Sequence, residues 1–262
     1  MKLSLAGWWQ VSPLTDLSIP QEDILFPALI SSVLPTGLTE EQISAQEWHL
    51  MHDIELDEEL AAPAVDLVMQ GVSHYAEVRV NGVAVFDCMG DLQTMRKDVR
   101  PYLQKGRNRF EVLFLEQDED WLLEEDGLIE EKSVQGEFVG SSLRPVAIQV
   151  EPYLHFMRNV RLHNVEVEQV WHHCGGCEVL VRLGYQVHQF GLASARVQFN
   201  GISLQLPIDM RNQALTALFQ VEAPRMTKEE ELGEKLIITI EEHQYEFFIP
   251  LGPTQDVMRL EL

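Results

Sequence analysis

The densest group of chemistry-bearing side chains is His172-His173-Cys174-Gly175-Gly176-Cys177. Two thiols separated by two residues, with imidazoles beside them, are residue types that hold zinc. A structural zinc needs four ligands, however. Adjacent histidines do not easily reach one tetrahedral site, and no second cysteine pair exists among the three cysteines of the chain. Two consecutive glycines also suit a tight turn between strands. The motif therefore reads first as a turn, with Cys174 and Cys177 the metal-ligand candidates behind that reading. A second cluster is acidic: Asp118, Glu119, Asp120, Glu124, Glu125, Asp126, Glu130 and Glu131 crowd around Trp121, Leu122 and Leu123. Asp118-Glu119-Asp120-Trp121 lacks the alternating acids and following glycine of a calcium loop, so the run reads as a solvated acidic face. No G-x-S-x-G, G-x-G-x-x-G or H-E-x-x-H stretch occurs, so no nucleophile or cofactor motif is present and no cofactor is expected.

The elements that must carry these residues are strands. Val80-Asn81-Gly82-Val83 is a hairpin signal, because both turn positions must take positive φ. Pairing across that turn sets Val80 opposite Val83 and Val78 opposite Val85. All four valines then share one face, while Glu77 and Arg79 share the other. Phe199-Asn200-Gly201-Ile202 repeats the signal, with Val197 falling opposite Leu204. Further strands are expected at Trp48 to Leu56, Phe110 to Phe114, Leu143 to Val150, Val160 to Val170, Glu178 to Val187, Ala217 to Val221, Leu236 to Ile240 and Tyr245 to Pro250. Thr39 and Gln42 form a capping box for a short helix. Residues 1 to about 45 otherwise read as irregular, broken by Pro13, Pro20, Pro27 and Pro35. Cys88 to Lys97 reads as a polar loop, Asp98 to Leu103 as a bend or short turn of helix, and Thr227 to Glu234 as a charged loop. Many short strands with turn signals predict an all-β chain of two β-sandwiches.

Size and charge bound the partners. A chain of 262 residues can build two cores, and its 45% apolar content is ordinary. The formal net charge of -23 argues against nucleic acid and anionic membranes as partners. No apolar run approaches a membrane span, and the N-terminal run is too short for a secretory core. Three cysteines without such a leader suit a reducing compartment, so the expected location is cytoplasmic.

Four features together resemble the N-terminal sugar-binding domain of the family 2 glycoside hydrolases, the β-mannosidase, β-galactosidase and β-glucuronidase group. They are Trp48; Gly71 through the Asn81-Gly82 turn; Asp98-Val99 with Leu103, Gly106 and Asn108; and Leu143-Arg144-Pro145-Val146. The β-mannosidase branch looks closest. Ala223-Pro224-Arg225-Met226, Leu232 to Leu236 and Glu246 to Gly252 resemble the immunoglobulin-like domain that follows in the family, although Met or Arg stands where the family has Trp. The resemblance implies a galactose-binding-like jelly roll over 1–155 and an immunoglobulin-like sandwich over 156–262. It implies no catalysis: the family's two catalytic glutamates lie on a (β/α)₈ barrel, and Pro253 to Leu262 cannot form even one βα unit.

A sugar ring has an apolar face and polar edges, so its sites pair an aromatic with carboxylates or amides. Trp8, Trp9, Trp121 and Phe138 are the aromatics that could stack. Trp121 in its acidic run, and Phe138 beside Glu137, fit best, which makes Trp121, Glu137 and Phe138 the carbohydrate-binding candidates; Trp48 and Trp171 read as core. The segment Ser133 to Ser142 keeps Glu137 and Phe138 but lacks the tryptophans typical of the mannosidases. The expected function is a non-catalytic carbohydrate-binding or accessory protein. The alternatives are a protein-interaction module that has lost sugar binding, with a protein partner, and a fragment of a longer hydrolase. The sequence assigns no oligomeric state.

Overall fold

The computed structural model describes residues 1–115, 145–173, 175–189, 191, 193–227, 233–253, 257–260 and 262. It divides into two compact units, one of residues 2–61 with 65–155, the other of residue 1, 62–64 and 156–262.

The first unit is antiparallel. Its strands are β1 (Lys2–Ser4), β2 (Gly7–Pro13), β3 (Glu22–Phe26), β4 (Ala28–Leu29), β5 (Trp48–Leu56), β6 (Ala64–Met69), β7 (Tyr75–Val80), β8 (Val83–Met89), β9 (Met95–Asp98), β10 (Gly106–Phe114), β11 (Ala147–Ile148) and β12 (Tyr153–Met157). A six-stranded sheet runs β3-β2-β5-β10-β7-β8 and a four-stranded sheet β1-β12-β6-β9, with β11 paired to β4. One face of the large sheet supplies Trp9, Val11, Ile24, Phe26, Trp48, Leu50, Val78, Val80, Phe110 and Val112, all buried. Strand β6 is buried along its whole length, as a strand covered on both faces must be. Helix α1 (Glu40–Ser44) starts at the expected capping box: the Gln42 amide donates to the Thr39 hydroxyl, and the Gln42 side chain accepts from the Thr39 amide.

Several expectations change here. Residues 1 to 45 hold β1 to β4 and not an irregular lead, because the prolines sit at strand limits: Pro13 ends β2 and Pro27, after a cis bond from Phe26, separates β3 from β4. The expected loop from Cys88 to Lys97 is shorter: β8 runs on to Met89, and β9 begins at Met95. The Asn81-Gly82 turn forms with φ of 52° and 79°, and Val80 faces Val83. Val78, however, pairs with Phe86, because a bulge between Val78 and Arg79 leaves Val85 as the extra residue. Val83 is exposed. Strand β8 lies at the sheet edge, so Val83, although opposite the buried Val80, is left uncovered.

The second unit holds β13 (Val160–Trp171), β14 (Cys177–Val187), β15 (Ser194–Phe199), β16 (Ile202–Pro207), β17 (Ala214–Val221), β18 (Glu234–Ile240), β19 (His243–Ile249) and β20 (Met258–Leu260). Two four-stranded sheets, β17-β14-β13-β20 and β16-β15-β18-β19, face each other across one core. Val165, Val167, Val179, Val181, Leu183 and Phe219 come from the first sheet; Val197, Phe199, Leu236, Ile238 and Ile249 come from the second. Phe199 and Phe219 meet between the sheets with ring centroids 5.7 Å apart. The Asn200-Gly201 turn forms as expected, with Phe199 facing Ile202 and Val197 facing Leu204. The described chain is thus nearly all β, in sandwiches of antiparallel sheets.

Candidate functional site

Trp121, Glu137, Phe138 and Cys174 lie outside the described residues. Cys177 opens β14 with its side chain in the core of the second unit, where burial pushes its thiol up. Gly175 and Gly176 take positive φ, as a turn between β13 and β14 requires, and His172 lies 3.6 Å from Glu178. No group of three or more metal-ligating side chains forms among the described residues.

The strand period separates the two early tryptophans. Trp9 points into the core of the first unit, where its indole nitrogen donates to the Leu5 carbonyl at 2.9 Å. Its ring stacks on His52 at 5.0 Å and meets Phe26 edge-on. Trp48 is likewise core, donating to the Ile43 carbonyl at 2.9 Å, and Trp171 is half-buried against the second core. Trp8 points the other way and is 67% exposed. Its partner across the β2–β3 ladder is Leu25, 56% exposed on the same outer face.

That outer face carries a ladder of charges. The β2–β5 ladder ends where Gln10 pairs with Met51; two residues beyond it stand Trp8 on β2 and Asp53 on β5. Asp53 pairs with Arg109 on β10, which grips it through Nε at 3.0 Å and Nη2 at 3.2 Å, and Arg107 donates to the same carboxylate. Hydrogen bonds from Arg109 and then Arg107 hold the Asp53 carboxyl down at about 2. Farther along the face, His49 Nε2 lies 2.9 Å from Glu111, and Arg79 pairs with Glu77. The arrangement can accept and donate hydrogen bonds beside an aromatic face. It is not built for general acid catalysis, which needs a carboxyl pushed up. Asp16, Asp53 and Glu246 are all held below the ordinary carboxylate range by hydrogen bonds, from Ser18, the two arginines and Lys235 respectively.

The residues that carried the family motif are scaffold. Asn81 and Asn108 tie the β7–β8 turn to the chain entering β10 through side-chain hydrogen bonds. Gly71 takes a φ of 70°, and a side chain there would press against Gln149 and Val150 at 3.1–3.3 Å. The 67%-exposed Trp8 was legible as an aromatic, but its placement needed β2 to be recognised as a strand.

Comparison with known proteins agrees with the motifs. Residues 34–138 match the family described as the glycosyl hydrolase 2 galactose-binding domain-like. A β-D-mannosidase from Dictyoglomus thermophilum superposes with a TM-score of 0.65 at 15% identity, over 95% of this chain and 36% of that one. A β-glucuronidase from an uncultured Clostridium sp. gives 0.58 at 15% identity over 96% and 44%. A putative β-galactosidase from Bacteroides fragilis gives 0.61 at 12% identity over the whole chain and 41% of that one. At such identities the likeness is one of fold, and the chain spans less than half the length of each of these structures. No curated protein sequence matches the chain. The chain resembles the N-terminal domains of family 2 glycoside hydrolases. No helix among the described residues is long and apolar enough to cross a membrane.

Proposed function

We propose that this chain is a non-catalytic carbohydrate-binding accessory protein, related to the N-terminal domains of a β-mannosidase-like hydrolase. The observation that carries the reading is the match of residues 34–138 to a galactose-binding-like domain. In this reading a jelly roll spans 1–155 and an immunoglobulin-like sandwich spans 156–262. Trp121, Glu137 and Phe138 are the sugar-contact candidates that the sequence offers, no cofactor is used, and the protein works in the cytoplasm. The charge of -23 supports a partner that is neither nucleic acid nor anionic lipid.

The experiment is calorimetric titration of the pure chain with methyl β-mannoside, β-galactoside and β-glucuronide, beside an assay with a chromogenic mannoside. Binding of at least one glycoside without turnover is the expected outcome. Turnover by the chain overturns the non-catalytic reading, and silence with every glycoside overturns the binding reading. A second reading is favoured by the span of the chain, between 36% and 44% of the two enzymes it matches at 15% identity. In it the chain is a part of a longer hydrolase, and its sugar contacts serve a site completed elsewhere.

A further inference from the structure

The outer face of the first unit's large sheet carries an aromatic platform beside a fixed polar pair. Trp8 is 67% exposed and Leu25, its ladder partner, is 56% exposed. Isolated exposed apolar residues need no explanation, but a cross-strand Trp–Leu pair forms one continuous patch. The platform is rigid. Trp8 pairs with Leu25 in the β2–β3 ladder, and His52 Nδ1 of β5 donates to its carbonyl at 2.8 Å. The next residue, Trp9, anchors the strand in the core and stacks on that same His52 ring. An indole held this way spends little conformational entropy when something lies on it.

Its polar border is equally fixed. The β2–β5 ladder ends at Gln10 opposite Met51; two residues beyond it stand Trp8 on β2 and Asp53 on β5, and the Asp53 carboxylate is held by Arg109 from two nitrogens and by Arg107 from one. A carboxylate has about four acceptor positions, so three such bonds leave one for an incoming hydroxyl. Arg107 and Arg109 keep further donors, since each guanidinium has five N–H groups. Gln10, two residues along β2 on the same exposed face, adds an amide. An apolar face with a negative π-cloud, bordered by an acceptor and by planar donors, complements a pyranose: its C–H side lies on the indole and its hydroxyls reach the edge groups.

We propose that Trp8 is the stacking platform of a pyranoside-binding surface on this sheet face, with Asp53 and Arg109 as the hydrogen-bonding edge. The proposal deepens the carbohydrate-binding reading above and rests on it, but it moves the sugar contact from Trp121, Glu137 and Phe138 to Trp8.

The test titrates the full chain and its Trp8→Ala, Trp8→Phe and Trp121→Ala variants with the same three methyl glycosides. Binding is followed by calorimetry and by the indole N–H resonances. Trp8→Ala should weaken the bound glycoside at least about tenfold, Trp8→Phe should stay within about threefold of the parent, and Trp121→Ala should bind as the parent does. The Trp8 indole resonance should move on titration. Circular dichroism checks that the variants fold. Parent-like binding by Trp8→Ala overturns this surface while leaving carbohydrate binding intact. Loss in Trp121→Ala alone places the sugar contact at Trp121 and also overturns it. A parent that binds none of the glycosides overturns both readings together. If sedimentation shows that Trp8→Ala dissociates a dimer without altering glycoside affinity, the face is a self-contact and the proposal falls.

Discussion

Asn81 and Asn108 meet side chain to side chain, Asn81 Nδ2 donating to Asn108 Oδ1 at 3.0 Å, although they stand 27 positions apart. Asn108 is fully buried and its amide is satisfied on both ends. Its oxygen also accepts from the Gln104 amide at 2.8 Å, and its nitrogen donates to the Gln104 and Gly106 carbonyls at 2.7 and 2.9 Å. Asn81, at a left-handed φ of 52°, donates in addition to the Tyr102 carbonyl and accepts from the Arg109 amide. One pair of side chains therefore fixes the hairpin turn and the entry to β10 together.

This pair should be costly to break. Asn108→Ala removes the partner of the Gln104 amide, of the Gln104 and Gly106 carbonyls and of Asn81 Nδ2, four part-buried hydrogen bonds worth about 0.5–1.5 kcal/mol each before relaxation and rehydration. A net loss of about 2–4 kcal/mol is expected in urea denaturation. Asn108→Asp should also destabilise, since a carboxylate cannot donate to either carbonyl.

The same pair shows what was legible beforehand. Asn81-Gly82 and Asn108 were readable as motif residues, and the positive φ at the turn follows from residue type. Their mutual contact did not, because a contact across that separation is a property of the sheet. Pairing at Val80–Val83 was legible, yet Val78 faces Phe86. A bulge on an edge strand breaks the simple alternation on which the register rests, and no turn chemistry announces it. Strands β1 to β4 were hidden because Pro13 and Pro27 read as breakers, although at strand ends they remove no ladder bond. Trp8 and Trp9 were visible as neighbours of opposite fate only once β2 existed.

Asp53 should tie stability to pH. Its carboxyl is held at about 2 by Arg109 and Arg107, below the ~3.9 of an unfolded aspartate. It therefore contributes stability above about pH 4 that is lost as pH falls through about 2. Asp53 is a third exposed and both arginines more so, and screening reduces the contribution to about 1 kcal/mol. Asp53→Asn should cost about that much at pH 7 and flatten the stability slope between about pH 4 and 2. Urea unfolding at several pH values, with and without added salt, measures both; an unchanged slope would refute the assignment.

The Cys88 thiol should be inert. Burial first, and then the Asp91 and Asp87 carboxylates, push it up to about 12. At pH 8 roughly one molecule in ten thousand would carry the reactive thiolate. Cys177 is buried and shifted the same way. In a Cys174→Ser protein at pH 8, an aromatic disulfide reagent should label neither thiol while the chain is native and both once denaturant is added. Labelling of the native protein would show that one of the two cores opens.

A final prediction concerns the β18–β19 hairpin, whose turn is Glu241-Glu242 where the other two-residue hairpins have Asn-Gly. Ile240 faces His243 across it, and Glu241 takes a φ of 55°. A side chain with a Cβ resists that region, since Cβ crowds the following carbonyl. Glu241 also keeps a carboxylate oxygen buried with no hydrogen-bond partner among the described residues, which adds a desolvation cost. Glu241→Gly removes both penalties and adds chain entropy to the unfolded state. The relief should exceed that entropy term, so the variant should be more stable by about 0.5–1 kcal/mol. Glu241→Ala separates the two effects: it frees the chain of the buried carboxylate but keeps the Cβ at positive φ. Thermal melts should rank Glu241→Gly above Glu241→Ala, and a reversed order would show that the backbone at this position carries no strain worth more than the chain entropy of glycine.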